Sequence, residues 1–286
     1  MKKNHFLSII ICLSLLLILI SANRYVSEEL ATPTPSPDPF EGMIRVNESN
    51  NRSIWIPLHD ELAVMNMKSY DFSSSEGVIT YKGESLSVQY GIDVSEHQGE
   101  INWQKVADSG VEFAMIRVGY RGYIHGIVCE DLFFRQNIEG ARAAGIKVGA
   151  YFFSQATSVA EGREEAAFAL SLLEGYSLDL PLAFDWERIT SGSARTDETT
   201  GAVVTDAAIA FTSAVKKAGL SPMVYFNKKL GYYEYELNRL SHVPFWVSSL
   251  TPFPDFYYEH SIWQYSFSGE VDGINTSVDL DMMFIK

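Results

Sequence analysis

Two carboxylic acids, Asp185 and Glu187, lie two residues apart at the end of the apolar segment 181–187. Residues i and i+2 of a β-strand point to the same face, so both acids would project together from one strand end. Because burying charge costs free energy, this placement needs a chemical reason. Two neighbouring carboxyl groups can supply the acid and the base that cleave a glycosidic bond.

The two acids are expected to take different roles, because carboxylates that share a cleft cannot all ionise at low cost. We predict that Glu187, the outer residue of the pair, has a raised pKa and acts as the general acid. Asp185 is expected to stay ionised and to stabilise positive charge at the reacting sugar.

Further acids and amides lie in other apolar segments: Asp93, Asn227 and Gln264 occur late in three of them, and Asp279 and Asp281 occur in the last. Several of these side chains are expected to converge on one cleft. The same oxygen atoms would also suit Ca²⁺ or Mg²⁺, and a divalent-cation site is the alternative. The histidines lack the spacing of a zinc site, and we expect neither a metal nor a cofactor.

Aromatic residues recur near the same segments and offer flat surfaces on which sugar rings can stack. The predicted substrate-binding residues are Tyr151, Tyr225, Asn227, Trp246, Gln264 and Tyr265. Strand alternation limits this set: if Asp185 faces inward then Trp186 faces outward, and Trp263 and Gln264 cannot both face inward.

Eight apolar segments have the length of β-strands, and four stretches between them have helical patterns. The strands are predicted at 90–95, 113–120, 147–154, 181–187, 222–227, 245–250, 261–266 and 279–284, and the helices at 103–108, 131–144, 159–174 and 202–218. This alternation predicts an α/β fold, an irregular (β/α)8-type barrel with fewer helices than strands, preceded by a small β-rich segment. In such barrels the functional face lies at the C-terminal ends of the strands.

By composition the chain divides into four parts. They are a signal peptide or membrane anchor at 1–22, a proline-rich linker at 23–40, a small β-rich module at 41–89 and the barrel at 90–286. The uncharged run 6–22 follows two lysines and is at the border between a signal-peptide core and a membrane span. We therefore expect an exported protein, outside the cell or at its surface, with membrane anchoring through residues 6–22 if the run is not cleaved.

The composition also excludes some partners. A formal charge of −14 without clustered lysine and arginine argues against binding to nucleic acid. Cys12 and Cys129 are the only cysteines, so the exported domain has no internal disulfide and depends on its core for stability. We expect a monomer.

Seven short motifs, in order along the chain, resemble those of glycoside hydrolase family 25. They are YGIDVSEHQG at 90–99, INW at 101–103, FAMIR at 113–117, GAYFF at 149–153, FDWE at 184–187, WQY at 263–265 and VDL at 278–280. The resemblance covers about residues 90–286. Two positions depart from the common pattern, since Phe152 replaces a frequent histidine and Asp281 stands where asparagine is common.

The resemblance implies a lysozyme-type muramidase, which cleaves the β-1,4 bond between N-acetylmuramic acid and N-acetylglucosamine in peptidoglycan. It implies Glu187 as the general acid, with Asp93, Asp185 and Asp279 as the other catalytic acids. It also implies that the 2-acetamido group of the substrate takes part, so that no protein nucleophile is needed and Asp185 orients the acetamide. The alternative is a catalytically silent protein that binds cell-wall glycan.

Overall fold

The part of the chain that the structure describes contains thirteen β-strands and five α-helices. In this computed structural model the described residues are 38–48, 52–75, 77–190 and 192–285. The strands are β1 (Met43–Asn47), β2 (Ser53–Pro57), β3 (Phe72–Ser75), β4 (Val78–Tyr81), β5 (Ser87–Val94), β6 (Phe113–Arg121), β7 (Val128–Glu130), β8 (Lys147–Ser154), β9 (Leu182–Trp186), β10 (Pro222–Asn227), β11 (Phe245–Ser248), β12 (Ile262–Gly269) and β13 (Val278–Ile285). The helices are α1 (Trp103–Asp108), α2 (Phe134–Ala143), α3 (Val159–Leu172), α4 (Gly201–Lys217) and α5 (Lys228–Tyr233).

Eight of the strands close into a barrel, which confirms the predicted fold. Their order around the ring is β5, β6, β8, β9, β10, β11, β12 and β13, and β13 pairs with β5. Neighbours are parallel from β5 to β12, but β13 is antiparallel to both of its neighbours. The N-terminal end of β13 therefore lies beside the C-terminal ends of the other strands. Strand β7 pairs antiparallel with the end of β6 and forms a hairpin with it.

Four helices form where the sequence predicts them, and their ends are set by local chemistry. The Ser158 hydroxyl accepts a hydrogen bond from the Glu161 N–H at 3.2 Å and caps the start of α3. Gly145 and Gly219 follow α2 and α4 with φ of 80° and 86°, a conformation that glycine adopts at low cost. The short helix α5 was not predicted. Among the described residues no α-helix connects β11, β12 and β13.

The apolar side chains form two layers, one inside the barrel and one between the strands and the surrounding elements. The inner layer comprises Phe113, Met115, Tyr151, Ala183, Met223, Tyr225, Trp246 and Ile262. Trp186 and Trp263 belong to the outer layer, whereas Asp185 and Gln264 line the central cavity. The strands thus alternate as predicted, and Asp185 and Gln264 each have an outward-facing tryptophan beside them.

The β-rich segment before the barrel covers the side that lacks helices. Phe72 of β3 packs its ring edge against outward-facing Trp263, with ring centroids 5.8 Å apart. The Tyr81 N–H at the end of β4 donates to the Tyr90 hydroxyl at 3.0 Å. Val64 forms an antiparallel bridge with Tyr258. Without this cover, the outer faces of β12 and β13 would expose large apolar side chains to water.

The predicted export segment, residues 1–22, lies outside the described residues. The chain divides into two units, residues 1–42 and residues 43–286. Of that first unit the structure describes residues 38–42, which make a turn where the Phe40 N–H donates to the Asp38 carboxylate at 2.9 Å. Among the described residues, no helix combines the length and apolar character needed to cross a bilayer.

Candidate active site

Four predicted catalytic acids line one cavity at the C-terminal end of the barrel. Asp93 lies near the end of β5, Asp185 lies in β9 and Glu187 directly follows β9. Asp279 comes from the opposite direction: because β13 is reversed, its first residues pair with the last residues of β5, and Asp279 is directly opposite Asp93. The cavity has a volume of about 780 Å³.

Gln264 holds two of these acids. Its Nε2 donates to Asp93 Oδ2 at 2.7 Å and to Asp279 Oδ2 at 3.1 Å. Its Oε1 accepts a hydrogen bond from the Tyr225 hydroxyl at 2.8 Å. Gln264 is buried, and Asp93 and Asp279 use both hydrogens of its amide nitrogen. It therefore orients carboxylates from two different strands.

Asp281 is a fifth acid of the cluster, and its side chain is fully buried. Its Oδ1 accepts a hydrogen bond from Trp246 Nε1 at 2.8 Å, whereas its Oδ2 is buried without a hydrogen-bond partner among the described residues. A buried carboxyl group with so few donors is more stable in its protonated form. Burial raises the pKa of Asp281 to about 8, and burial followed by the Asp281 charge raises the pKa of Asp93 well above its usual value.

Glu187 has the raised pKa that its position in the sequence predicts. Burial is the main cause, the charge of Asp279 adds to it, and the pKa rises to about 7. Burial likewise raises the pKa of Asp279 to about 6. The backbone of Glu187 is held by Gln155, whose Nε2 donates to the Glu187 carbonyl at 2.8 Å. A carboxyl group with a pKa near 7 is still about half protonated at neutral pH and can readily give up its proton.

Asp185 differs from the expectation that it stays ionised. Burial, and then the charge of Glu187, raises the pKa of Asp185 well above its usual value, although Arg117 opposes the rise. Within the described part of the chain, Asp185 Oδ1 is buried without a hydrogen-bond partner. Repulsion between neighbouring carboxylates would by itself leave Asp185 ionised. The fold adds desolvation around Asp185, which favours its protonated form.

Three of the predicted aromatic residues line the cavity. Trp246 is in the centre, with the Tyr225 ring at 4.7 Å and the Tyr151 ring at 5.9 Å between centroids, both tilted steeply to it. All three point inward from their strands and are mostly buried. They form the apolar base on which the acid cluster rests.

Two predicted substrate-binding residues do not line the cavity. The Asn227 side chain accepts a hydrogen bond from the Leu230 N–H at 3.0 Å and caps α5, so its amide oxygen is used in the fold. Tyr265 follows inward-facing Gln264 and therefore points outward, where its ring lies 5.4 Å from that of Trp263. We remove both from the substrate-binding set.

Arg117 is a cavity residue that the sequence argument did not assign. Its Nε donates to Asp131 at 2.7 Å, its Nη2 lies 3.1 Å from Glu96, and its guanidinium lies 5.1 Å from the Tyr120 ring centre. These partners direct a buried cation towards an otherwise acidic cavity. The feature that singled out Asp185, a charge inside an apolar strand, would also have identified Arg117.

The hairpin of β6 and β7 forms one wall of the cavity and was not predicted as part of the site. Its tip, residues 122–127, contributes Tyr123, Ile124 and Ile127 to the lining. Over the described residues, no group of three or more histidine, cysteine or acidic side chains is arranged to hold a metal ion.

Comparisons with known proteins agree with this architecture. The model for Glycosyl hydrolases family 25 matches residues 92–274, more than half of the chain. The autolytic lysozyme of Clostridium acetobutylicum is 30% identical over 193 residues, which are 67% of this chain and 54% of that protein. This chain therefore spans about half the length of that relative.

Solved structures show the same fold. A bacterial lysozyme from Streptomyces coelicolor has a TM-score of 0.56 and 28% identity, covering 68% of this chain and 91% of its own. The modular autolysin LytC from Streptococcus pneumoniae, solved with a synthetic peptidoglycan ligand, has a TM-score of 0.60 and 23% identity, covering 85% of this chain and 56% of its own. The family match, the barrel and the acid cluster lead to one conclusion: the chain belongs to glycoside hydrolase family 25.

Proposed function

We propose that this protein is a lysozyme-type muramidase that cleaves the β-1,4 bond between N-acetylmuramic acid and N-acetylglucosamine. The observation that carries the proposal is the position of Glu187, whose pKa of about 7 is set by burial and Asp279 in a cavity based on aromatic rings. Family membership supports it, as do the printed names of the relatives, a lysozyme and an autolysin.

In the proposed reaction, Glu187 donates its proton to the glycosidic oxygen as the bond from that oxygen to the sugar C1 breaks. The carbonyl oxygen of the 2-acetamido group forms a bond to C1 from the opposite face and neutralises the developing positive charge. Glu187 then removes a proton from the water that attacks C1, and the acetamide is released. Every proton that leaves Glu187 is thus returned.

Asp185 is suited to orient the acetamide. Its Oδ1 is buried and has no donor among the described residues, so an acetamide N–H would satisfy an acceptor that otherwise stays unpaired. Positive charge that develops on the acetamide would favour the ionised form of Asp185, which would then stabilise that charge. Asp279, whose pKa of about 6 leaves it mostly ionised at neutral pH, adds negative potential to the same cavity and is held by Gln264.

A muropeptide digest tests the proposal directly. Purified peptidoglycan treated with the enzyme should give new reducing ends that are muramic acid, and Glu187→Gln should abolish them. Glu100→Gln, at an exposed position that does not line the cavity, is the matched control and should keep full activity. Reducing glucosamine ends would refute the assignment, and binding to cell walls without any new reducing ends would favour a silent glycan-binding protein.

We further propose that the protein acts as a monomer outside the cytoplasmic membrane, with residues 1–22 as its export signal or anchor. The lysine pair and the uncharged run 6–22 support export. A peptidoglycan substrate requires a position outside the cytoplasmic membrane. Between residues 1–22 and the barrel we place the proline-rich linker at 23–40 and the small β-rich module at 41–89. Mass spectrometry of the protein from the cell surface would decide between a cleaved and a retained segment, and recovery only from the cytoplasm would refute export.

A further inference from the structure

The hairpin tip presents apolar side chains to a cavity that is otherwise acidic. Ile124 and Ile127 are 61% and 63% exposed and Tyr123 is 40% exposed, yet all three line the same cavity as Glu187. Scattered exposed apolar residues are common on proteins, but a group of them beside a catalytic cleft indicates contact with a ligand.

The tip is held by a set of hydrogen bonds, so the exposure of these side chains follows from a defined backbone. The Gly122 N–H donates to the Ile127 carbonyl and the Gly126 N–H donates to the Gly122 carbonyl, each at 2.9 Å. Arg121 Nη1 donates to the Gly126 carbonyl at 2.7 Å, and the Arg195 N–H donates to the Tyr123 carbonyl at 2.9 Å.

Arg121 itself is anchored in the protein interior. It is buried, and its Nε lies 2.7 Å from Glu165 of α3, which is also fully buried. The tip is therefore connected through charged hydrogen bonds to a helix of the barrel. Such an arrangement keeps the isoleucine side chains facing the cavity.

The chemistry of the tip identifies the part of the substrate that fits it. Hydroxyl groups of the sugar rings gain little from isoleucine side chains, whereas methyl groups gain by leaving water. In a peptidoglycan strand, muramic acid carries a lactyl ether, and the stem peptide continues it with alanine. Both carry methyl groups, and chitin-type polymers have neither.

We propose that the hairpin tip is a specificity surface that contacts the methyl group of the first alanine of the stem peptide. This inference rests on the proposed muramidase function. The enzyme should therefore cleave strands that bear stem peptides more efficiently than strands from which an amidase has removed the peptides.

The test compares kcat/KM on these two substrates for three proteins. The wild type should prefer peptide-bearing strands by roughly tenfold, the scale expected for one methyl group in an apolar contact. The double variant Ile124→Ser/Ile127→Ser should lose that preference, mainly through a higher KM on peptide-bearing strands, so that it cleaves the two substrates with similar kcat/KM.

Leu132→Ser is the matched control, because Leu132 is 78% exposed next to the hairpin but does not line the cavity. It should keep the wild-type preference. A wild type with no preference, or a double variant that retains it, would overturn the inference. The proposed function fails in a different way, since the wild type would then release no muramic acid reducing ends from either substrate.

Discussion

At the residue scale, the proposed proton transfer depends on Glu187, which donates the proton, and on Asp279, whose negative charge raises the pKa of Glu187. Glu187 has to be protonated to donate, so its pKa of about 7 limits activity on the alkaline side. The negative charge of Asp279 contributes to that pKa after burial. Removing the charge therefore makes Glu187 easier to ionise.

Asp279→Asn should move the alkaline limb of the kcat/KM profile to lower pH. An asparagine oxygen can still accept the Gln264 hydrogen bond, so the geometry is kept while the charge is lost. The measurement is kcat/KM against pH on soluble glycan fragments, with the wild type measured in parallel. An unchanged limb would show that Asp279 does not influence the group that donates the proton.

Asp281 makes the stability of the protein depend on pH. Its pKa is about 8 in the folded protein against 3.8 ordinarily, so between these pH values the folded state binds a proton that the unfolded state does not. The free energy of unfolding therefore falls as pH rises through this window. An asparagine at this position would still accept the hydrogen bond from Trp246 and would have no proton to lose.

Asp281→Asn should therefore raise the free energy of unfolding at pH 8, by up to about 5 kcal/mol, with little change at pH 4. Denaturant unfolding at several pH values measures this difference. Asp60→Asn, at an exposed position, is the control for the loss of one charge and should have little effect at either pH. Equal effects of Asp281→Asn at both pH values would contradict the raised pKa of Asp281.

At the scale of elements, the reversed strand β13 brings Asp279 and Asp281 to the site. A parallel eighth strand would place its first residues at the opposite end of the barrel. Over the described part of the chain no α-helix connects β11, β12 and β13, and the hairpin of β3 and β4 covers the outer face of the barrel on this side. Phe72 is the central contact of this cover, buried between Trp263 and Tyr81.

Phe72→Ala should destabilise the protein by about 3 kcal/mol, the loss that is typical when a buried phenylalanine is truncated. Val78→Ala, in the neighbouring strand but 46% exposed, should change stability by about 0.5 kcal/mol or less. Thermal and denaturant unfolding measure both variants. If the two had equally small effects, the segment would not belong to the cooperative unit that the barrel forms.

At the scale of the whole molecule, residues 43–286 form one unit in which an acidic cavity is surrounded by an apolar core with buried ion pairs such as Arg121–Glu165. The eight strands and four of the helices could be predicted because apolar runs, capping residues and glycines are local signals. Strand alternation also placed Asp185 inward and Trp186 outward correctly. Asn227 and Tyr265 were misplaced, because strand ends and outward faces were not distinguished from the cavity lining.

The sequence by itself determined the barrel, its family motifs and the pairing of Asp185 with Glu187 on one strand, since each depends on residues close together in the chain. Only the tertiary structure decided which of the acids stay protonated near neutral pH. The pKa of each carboxyl group depends on desolvation and on neighbours from other strands, such as Asp281 beside Asp93 and Trp246. The same holds for the hairpin tip, whose isoleucines gain their proposed role only because the fold places them in the same cavity as Glu187.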